Sequence, residues 1–481
     1  MHPIFSIALF VTPPALLSLV GAPHPLALGL LLSVMVAWLT ETIPIGATAL
    51  LIPTLGVLYG LVTPKEAFAP FGSEMIFLLI ATFLLARAFD RSGLGRRIAF
   101  MVLSSRLTGG SLRGAIYALT ALCWLTSMWM TNAAACSLFL PIVLGLLQST
   151  QQFVPKEKFG SLSKRLLFLC SVTPGLGGLC TPVGALPNVL TFSYLAEHGH
   201  SVTILQWIGI ATPISLALVM MSVAVLDLCF PIPTILFSSL RNEIIESRKQ
   251  LGKIKRSEIF IALAFALLIA LWLLPSILAP LLASFPTLAS TLNRLTPTIA
   301  ALLVVIPLFM LNASSSSDEK LLLASDLSAV DLAVILLFGG GLALGAIIES
   351  AGVAVMLSSG LSHIAQLHPA FIGFLIAALT LLISEFCSNT GAVALMLPIA
   401  FSIASLSGVA DDSTLRLAFI TVCAGTLGFS MPAGTPPNAL VYATGKVSVR
   451  DIAWAGVWID ISGVLLVMLV IEWIYPFFRV W

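Results

Sequence analysis

Asparagine and small hydroxyl residues recur at two points of an otherwise apolar chain. "CSNTGAVALMLP" occupies residues 387–398 and a partial echo, "MTNAAACSLFLP", occupies 130–141. Ser388, Asn389 and Thr390, like Thr131 and Asn132, carry hydrogen-bonding groups without charge. Lipid satisfies none of these groups, so they must bind one another, backbone or a ligand. Two further stretches interrupt apolar sequence, "TPVGALPN" at 181–188 and "MPAGTPPN" at 431–438. Pro182, Pro187, Pro432, Pro436 and Pro437 remove backbone donors there, while Gly184 and Gly434 permit open backbone. A helix broken in this way offers carbonyl oxygens at one cut end and amide hydrogens at the other. Carbonyls suit a small hard cation, and amides at the positive end of a helix dipole suit an anion. Side by side, the two ends can hold both ions. The same residue types also cap helix starts. Capping accounts for any one of them, but not for an Asn at each tip with a Pro-x-Gly-x-x-Pro-Asn loop downstream of each.

The elements that must position these residues are membrane spans. Of 481 residues, 59% are hydrophobic and 9% charged, with a mean hydropathy of +1.08. A soluble domain carries roughly 25% charged residues, so the expected class is an all-α, polytopic membrane protein. The first apolar stretch has no Lys or Arg before it and reads as a retained span rather than a cleaved signal. The seven cysteines form no C-x-x-C and the six histidines no H-E-x-x-H, so neither a disulfide framework nor a metal centre is expected. No feature points to nucleic acid.

About eleven spans are expected, near 4–21, 27–40, 45–61, 75–90, 165–195, 205–229, 257–283, 296–312, 330–350, 415–443 and 453–476, with 165–195 and 415–443 broken at the proline loops. The stretches 114–148 and 369–405 are too long for single spans of about 20 residues, and a polar triplet interrupts each. Both read as re-entrant hairpins. Charge placement agrees. With the N-terminus in the cytoplasm, 19 of the 23 Lys and Arg fall on cytoplasmic segments, but only if both hairpins return to their own side.

The chain also repeats. "FLLIATFLLARAFDRSG" (77–93) aligns with "LLFGGGLALGAIIESAG" (336–352) at an offset of 259, the two tips align at 257 and the two proline loops at 250. Five crossings separate matching points, so the second copy is inverted, as in secondary transporters. The expected organisation is an extra span at 1–24, a first repeat at 25–240, a basic linker at 241–256 and a second repeat at 257–481.

These motifs resemble the divalent anion/sodium symporter family, the INDY-type dicarboxylate and sulfate transporters. "TETIPIGATALLIP" (40–53) and "LLFGGGLAL" (336–344) extend the likeness over nearly the whole chain. The resemblance implies a homodimer in the bilayer, with a scaffold and a transport domain moving as an elevator. It implies one sodium site at Ser127, Thr131, Asn132 and the Gly184 carbonyl. A second would lie at Ser384, the Cys387 carbonyl, Asn389 and Gly434. Substrate carboxylates would meet Thr131, Asn132, Ser388, Asn389, Thr390, Thr435 and Pro436. The first half departs from the family pattern: Ala133 replaces a hydroxyl at the tip, and Ala185 and Leu186 replace a hydroxyl and a proline in the loop. Each lost hydroxyl removes a donor worth roughly 0.5–1.5 kcal/mol, which implies an asymmetric site.

A dianion inside a bilayer is very costly without countercharge. None of the four loops contains Lys, Arg or His. The countercharge must therefore arrive with the substrate, which points to sodium as the coupling ion and to symport of C4-dicarboxylates such as succinate, fumarate or malate. The alternatives are a sodium-independent dicarboxylate or tricarboxylate exchanger and a sulfate-type symporter. A channel is a further option, which turnover that saturates and depends on the sodium gradient would exclude. An intramembrane enzyme is not expected, because no nucleophile is paired with a base. Glu385 is the ionisable group nearest the tips and is expected to contact a cation, face solvent or titrate. Glu41 reads as structural, Asp227 and Asp460 as paired or interfacial, the cluster from Arg248 to Arg256 as a solvated linker, and 312–320 as a flexible loop.

Overall fold

The computed structural model describes residues 3–21, 23–40, 43–105, 108, 111–151, 154–200, 202–233, 245–246, 248–282, 294–314, 318–352, 368–386, 388–406, 410–432 and 434–478. Among them the only β-pairing is an isolated bridge between Asn312 and Lys320. Everything else regular is helix. Seven helices are long and apolar enough to cross a membrane, and six shorter apolar ones accompany them among the described residues.

A first group comprises α1 (Pro3–Leu19), α2 (Pro25–Thr40), α3 (Ile45–Leu58), α4 (Pro64–Phe68) and α5 (Glu74–Ser92). Ser73 caps α5 and Gly93, with φ 78°, ends it in the left-handed conformation glycine favours. From Gly93 the chain turns into α6 (Leu94–Ser104), which leads to the first hairpin. That hairpin is α7 (Leu112–Ser127) and α8 (Asn132–Thr150). The first broken span is α9 (Lys156–Gly178) and α10 (Leu186–Glu197), followed by α11 (Ile204–Cys229). The second half runs α12 (Arg256–Leu282), α13 (Pro297–Val305) and α14 (Leu332–Ser350). It continues with the hairpin α15 (Pro369–Phe386) and α16 (Asn389–Leu406), the broken pair α17 (Ala410–Thr426) and α18 (Pro436–Ala443), and α19 (Val449–Phe478).

Packing follows the repeat. α9 lies against both arms of the first hairpin, and α17 against both arms of the second. The short helices cross over: α10 packs on α16 and α17, and α18 packs on α8 and α9. A further correspondence emerges in the last span of each half, at an offset of 245. Thr203 and Gln206 form a capping box at the start of α11, and Ser448 with Asp451 makes the same reciprocal bonds at the start of α19. Asp227 in α11 pairs with Arg165 at 2.7 Å, and its counterpart Glu472 pairs with Arg416. Each broken span is thus pinned to the last helix of its half by a guanidinium–carboxylate bridge.

Outward faces are apolar, as lipid requires: Met220 and Leu228 on α11, Leu263 on α12 and Leu469 and Trp473 on α19 are all exposed. The polar linkers are more ordered than their composition suggests. Arg97 in α6 is buried, pairs with Glu258 at 2.8 Å and reaches the carbonyls of Leu251, Gly252 and Lys253. Arg248 donates to Ser104 at 3.0 Å. The basic linker therefore docks on α6 rather than lying fully in solvent. Likewise, the described ends of the 312–320 stretch are closed by the Ala313 amide on the Glu319 carbonyl at 2.7 Å and by Lys320 on Asn312. Glu41 lies outside the described residues.

Candidate functional site

Cut helix ends gather where the hairpins meet the broken spans. Four helices start there, α8, α10, α16 and α18, and four end there, α7, α9, α15 and α17. The starts present amide hydrogens and the ends present carbonyl oxygens.

In the first half, glycine lets backbones approach. A methyl on Gly177 would stand 2.5 Å from the Trp124 carbonyl oxygen, so α7 and α9 touch main chain to main chain. Ser127, at the end of α7, donates to the Pro174 carbonyl at 2.6 Å. Thr181 donates to the Met128 carbonyl and accepts from the Gly184 amide at 3.0 Å. Asn188, in the first turn of α10, ties the break together by donating toward the carbonyls of Gly178 at 2.8 Å and Thr181 at 2.7 Å. A small oxygen-lined cradle results. A methyl on Gly178 would lie 2.5 Å from Asn132 Oδ1 and 2.7 Å from the Gly184 carbonyl oxygen. One on Gly184 would lie 2.4 Å from the Gly178 oxygen and 2.9 Å from that of Met128. Asn132 Oδ1 is buried and has no hydrogen-bond partner. A donor-free amide oxygen turned toward the Gly184 carbonyl fits a small hard cation.

In the second half the same positions are tied more tightly. Ser384, the counterpart of Ser127, donates toward the carbonyls of Gly425 at 2.8 Å and Leu427 at 3.1 Å and toward Asn389 Oδ1 at 3.0 Å. Asn389 Nδ2 donates to the Thr426 carbonyl at 3.3 Å. Asn438 spans the break as Asn188 does, reaching the Phe429 and Met431 carbonyls, and its own Oδ1 accepts from Ser171. Gly434 faces the Gly428 carbonyl oxygen, 2.6 Å from where its side chain would begin.

The two sites are neighbours. Gly175 and Gly178 are three residues apart on α9, about 4.5 Å of rise. A methyl on Gly175 would lie 3.9 Å from the Thr426 oxygen that Asn389 binds, whereas Gly178 faces Asn132. Pro437, in α18, accepts from Cys136, in α8, at 3.8 Å. α9 thus borders both breaks, through Gly178 and Gly175.

Several expected ligand residues are helix caps. Thr131 accepts from the Ala134 amide at 3.3 Å, Ser388 from Gly391 at 3.1 Å and Thr435 from Asn438 at 3.3 Å. Capping fixes where these hydroxyls sit, at helix starts whose dipoles favour an anion. Thr390 is buried and Pro436 exposed at the start of α18. Cys387 lies outside the described residues.

Glu385 turns neither to solvent nor to the tip. Its Oε1 accepts from the Ser430 amide at 3.2 Å, and its carboxyl meets that of Asp460. Asp460, deeply buried in α19, accepts from the amides of Gly428 at 3.0 Å and Phe429 at 3.1 Å and from the Ser430 hydroxyl at 2.6 Å. Three residues thus emerge as structural supports of the breaks: Asn188, Asn438 and Asp460. The signals for them were the Asn that closes each proline loop and a lone acid inside an apolar span.

Crevices flank the site along the second hairpin arms. One, of 730 Å³, runs along α8 and is lined by Asp90, Arg96, Ser137 and Pro141. The other, of 290 Å³, runs along α16 and is lined by Glu349, His198, Phe401 and Pro398. His198 Nε2 stands 3.6 Å from Glu349 and its ring packs on Tyr194 and Phe401, narrowing this second crevice.

Comparison with known proteins gives a consistent picture. The family described as the sodium:sulfate symporter transmembrane region matches residues 3–481. A sodium-dependent dicarboxylate transporter, SdcS, of Staphylococcus saprophyticus is 29% identical over 449 residues, covering 91% of this chain and 84% of that protein. SdcS of Staphylococcus aureus is 27% identical over 446 residues, with the same coverage. An uncharacterized transporter of Haemophilus influenzae is 29% identical over 441 residues, covering 92% of this chain and 89% of its own. Among solved structures, the YdaH transporter of Alcanivorax borkumensis superposes with a TM-score of 0.54 at 12% identity over 88% of this chain and 89% of that one. That likeness concerns the fold alone.

Proposed function

The chain belongs to the sodium:sulfate symporter family, a family of multi-pass membrane transporters and not of enzymes, and from this premise we propose that it carries small dicarboxylates, C4 acids such as succinate, fumarate and malate, in symport with sodium. The names of the Staphylococcus relatives support both the substrate class and the ion. The observation that carries the reading is the buried, donor-free Asn132 Oδ1, turned with the Gly184 carbonyl toward Gly178 in α9, the helix that also borders the second break. Oxygens of this kind attract a cation, and the amide ends of α8, α16 and α18 attract an anion. No basic side chain lies in the four loops to neutralise a dianion, so cation and anion stabilise one another there.

In this reading, one sodium ion binds Ser127, Thr131, Asn132 and the Gly184 carbonyl, and a second binds the Ser384, Asn389 and Gly434 region. Substrate carboxylates meet the helix starts at Thr131, Asn132, Ser388, Asn389, Thr390, Thr435 and Pro436. The helices α7 to α11 and α15 to α19 move as one body against α1 to α5 and α12 to α14 in a homodimer, carrying the site between two faces. The wider crevice, along α8, lies toward the Arg-rich end of α5 and so toward the cytoplasm by the positive-inside rule. It would be the open path in this state.

Uptake into proteoliposomes tests the coupling. Replacing external sodium with choline should abolish succinate uptake. If trapped dicarboxylate instead drives uptake without sodium, the protein is an exchanger, and the symport reading falls. Competition by sulfate stronger than by succinate would move the substrate to the sulfate class.

A further inference from the structure

A second polar cavity, of 350 Å³, lies away from the tips, where the end of α5, the start of α12 and the 313–321 segment meet. Four cations line it, Arg91, Lys255, Arg256 and Lys320, against one carboxylate, Glu319. Arg91 is held by Asp326 at 2.6 Å and Glu319 at 2.7 Å. Glu258, the other nearby acid, is taken up by buried Arg97. Among the described residues, Lys320 is held by two neutral oxygens, the Met310 carbonyl at 3.1 Å and the Asn312 amide oxygen. These oxygens fix its charge in place without neutralising it. Burial pushes the Asp326 carboxyl up, but the Leu323 amide and the guanidinium groups of Arg87 and Arg91 outweigh it and hold the carboxyl below its ordinary range. Asp326 therefore stays committed to those arginines. The first turn of α12, a 27-residue helix, also lines the cavity through Arg256 and Ser257, and its dipole adds to the positive field.

We propose that this cavity binds a phosphate-bearing anion. A concave, partly enclosed wall lined by Arg91, Lys255, Arg256 and Lys320 concentrates anions. Its height in the bilayer favours a lipid headgroup. α5 ends, and the apolar run of α12 begins, at this level on the Lys- and Arg-rich face, where anionic phospholipids present their phosphates. A free phosphate compound satisfies the same chemistry from the aqueous side. Either ligand would sit at the root of α6, which leaves Gly93 beside Ser92 and carries the first hairpin.

The test uses the full-length protein in nanodiscs of phosphatidylcholine, with phosphatidylglycerol added in one arm and inorganic pyrophosphate in the other, followed by thermal melting. Phosphatidylglycerol should raise the melting temperature, and Lys255→Gln and Arg256→Gln, both on exposed residues, should each weaken its apparent affinity roughly fivefold. Stabilisation by pyrophosphate with the same dependence on these variants would keep the site and assign its ligand to solution. The proposal is overturned if neither probe stabilises the wild type, or if the variants respond as the wild type does. Lys320→Gln serves as a third variant, and loss of probe response without loss of melting cooperativity separates binding from folding.

Discussion

Ser215 in α11 and Asp460 in α19 occupy matching positions of the two repeats, yet they serve the breaks in opposite ways. Ser215 donates its hydroxyl to the Leu176 carbonyl and accepts from Trp124. Asp460 accepts from the Gly428 and Phe429 amides. At the matching hairpin positions Met128 stands in the first half and Glu385 in the second. The first break is therefore built from neutral dipoles, and its open oxygens, Asn132 Oδ1 and Asn188 Oδ1, have no donors. The second is backed by two carboxyl groups, and both of its asparagine oxygens are occupied, by Ser384 and Ser171. The two proposed sodium sites thus have unlike surroundings in a pseudo-symmetric scaffold. The first is unfilled by protein donors. In the second, Ser384 and Ser171 occupy the asparagine oxygens, and the Glu385 and Asp460 carboxyls meet behind them. The anion side is unequal too: Thr435 caps α18, whereas Ala185 at the start of α10 offers no side-chain cap.

This contrast can be broken experimentally. The largest effect is expected from Asn132→Ala and Asn389→Ala. Each should abolish sodium-driven uptake while leaving the melting temperature nearly unchanged; near-normal uptake by either variant would remove that residue from the site. Gly178→Ala should come next, because its methyl would fall on Asn132 Oδ1 and the Gly184 carbonyl. It should eliminate sodium-dependent thermal stabilisation. Its partner Gly428→Ala should instead destabilise the fold itself by about 1–3 kcal/mol, since Gly428 has φ 113°. Equal behaviour of the pair would erase the asymmetry.

Asp460→Asn tests the acid. Asp460 accepts from the Gly428 and Phe429 amides and the Ser430 hydroxyl, each bond worth roughly 0.5–1.5 kcal/mol, so the sodium concentration for half-maximal uptake should rise by about two- to tenfold. Ser215→Ala should shift it far less. The smallest effects sharpen the anion side. Ala133→Thr restores a tip hydroxyl and should tighten succinate binding by about two- to tenfold, in line with roughly 0.5–1.5 kcal/mol per bond. A loss would indicate a pocket shaped for another anion. Ala185→Thr, at an extended residue with φ −145° and ψ 144°, should act as an N-cap and raise stability by about 0.5–2 kcal/mol; an unchanged melting curve would count against that end being short of a cap.

Much of this was legible before any coordinates. Proline and glycine at 181–188 and 431–438 marked the helix breaks, because closely spaced prolines around a glycine remove several helical amides at once. The single Pro141, Pro174, Pro213 and Pro398, by contrast, sit inside continuous helices. The polar triplets marked the hairpin tips, since α8 and α16 begin within them. The basic linker is largely exposed, as its composition suggests, but the bonds that anchor it and the 312–320 stretch could not be read from composition. Arg97, which binds the linker, and Arg91, which binds Glu319, lie far away in sequence, and composition does not report such partners.

By itself the sequence determined the solvent, the helical architecture, the repeat and the stretches that leave the helix, all of which follow from local polarity, proline geometry and length against the bilayer. Only the tertiary structure decided which oxygens face one another without a donor, that Glu385 and Asp460 meet behind the second break, and that Asn188 and Asn438 hold the cut ends together. Those outcomes depend on the approach of helices from different parts of the chain, to within an ångström, at glycines whose neighbours no linear spacing names.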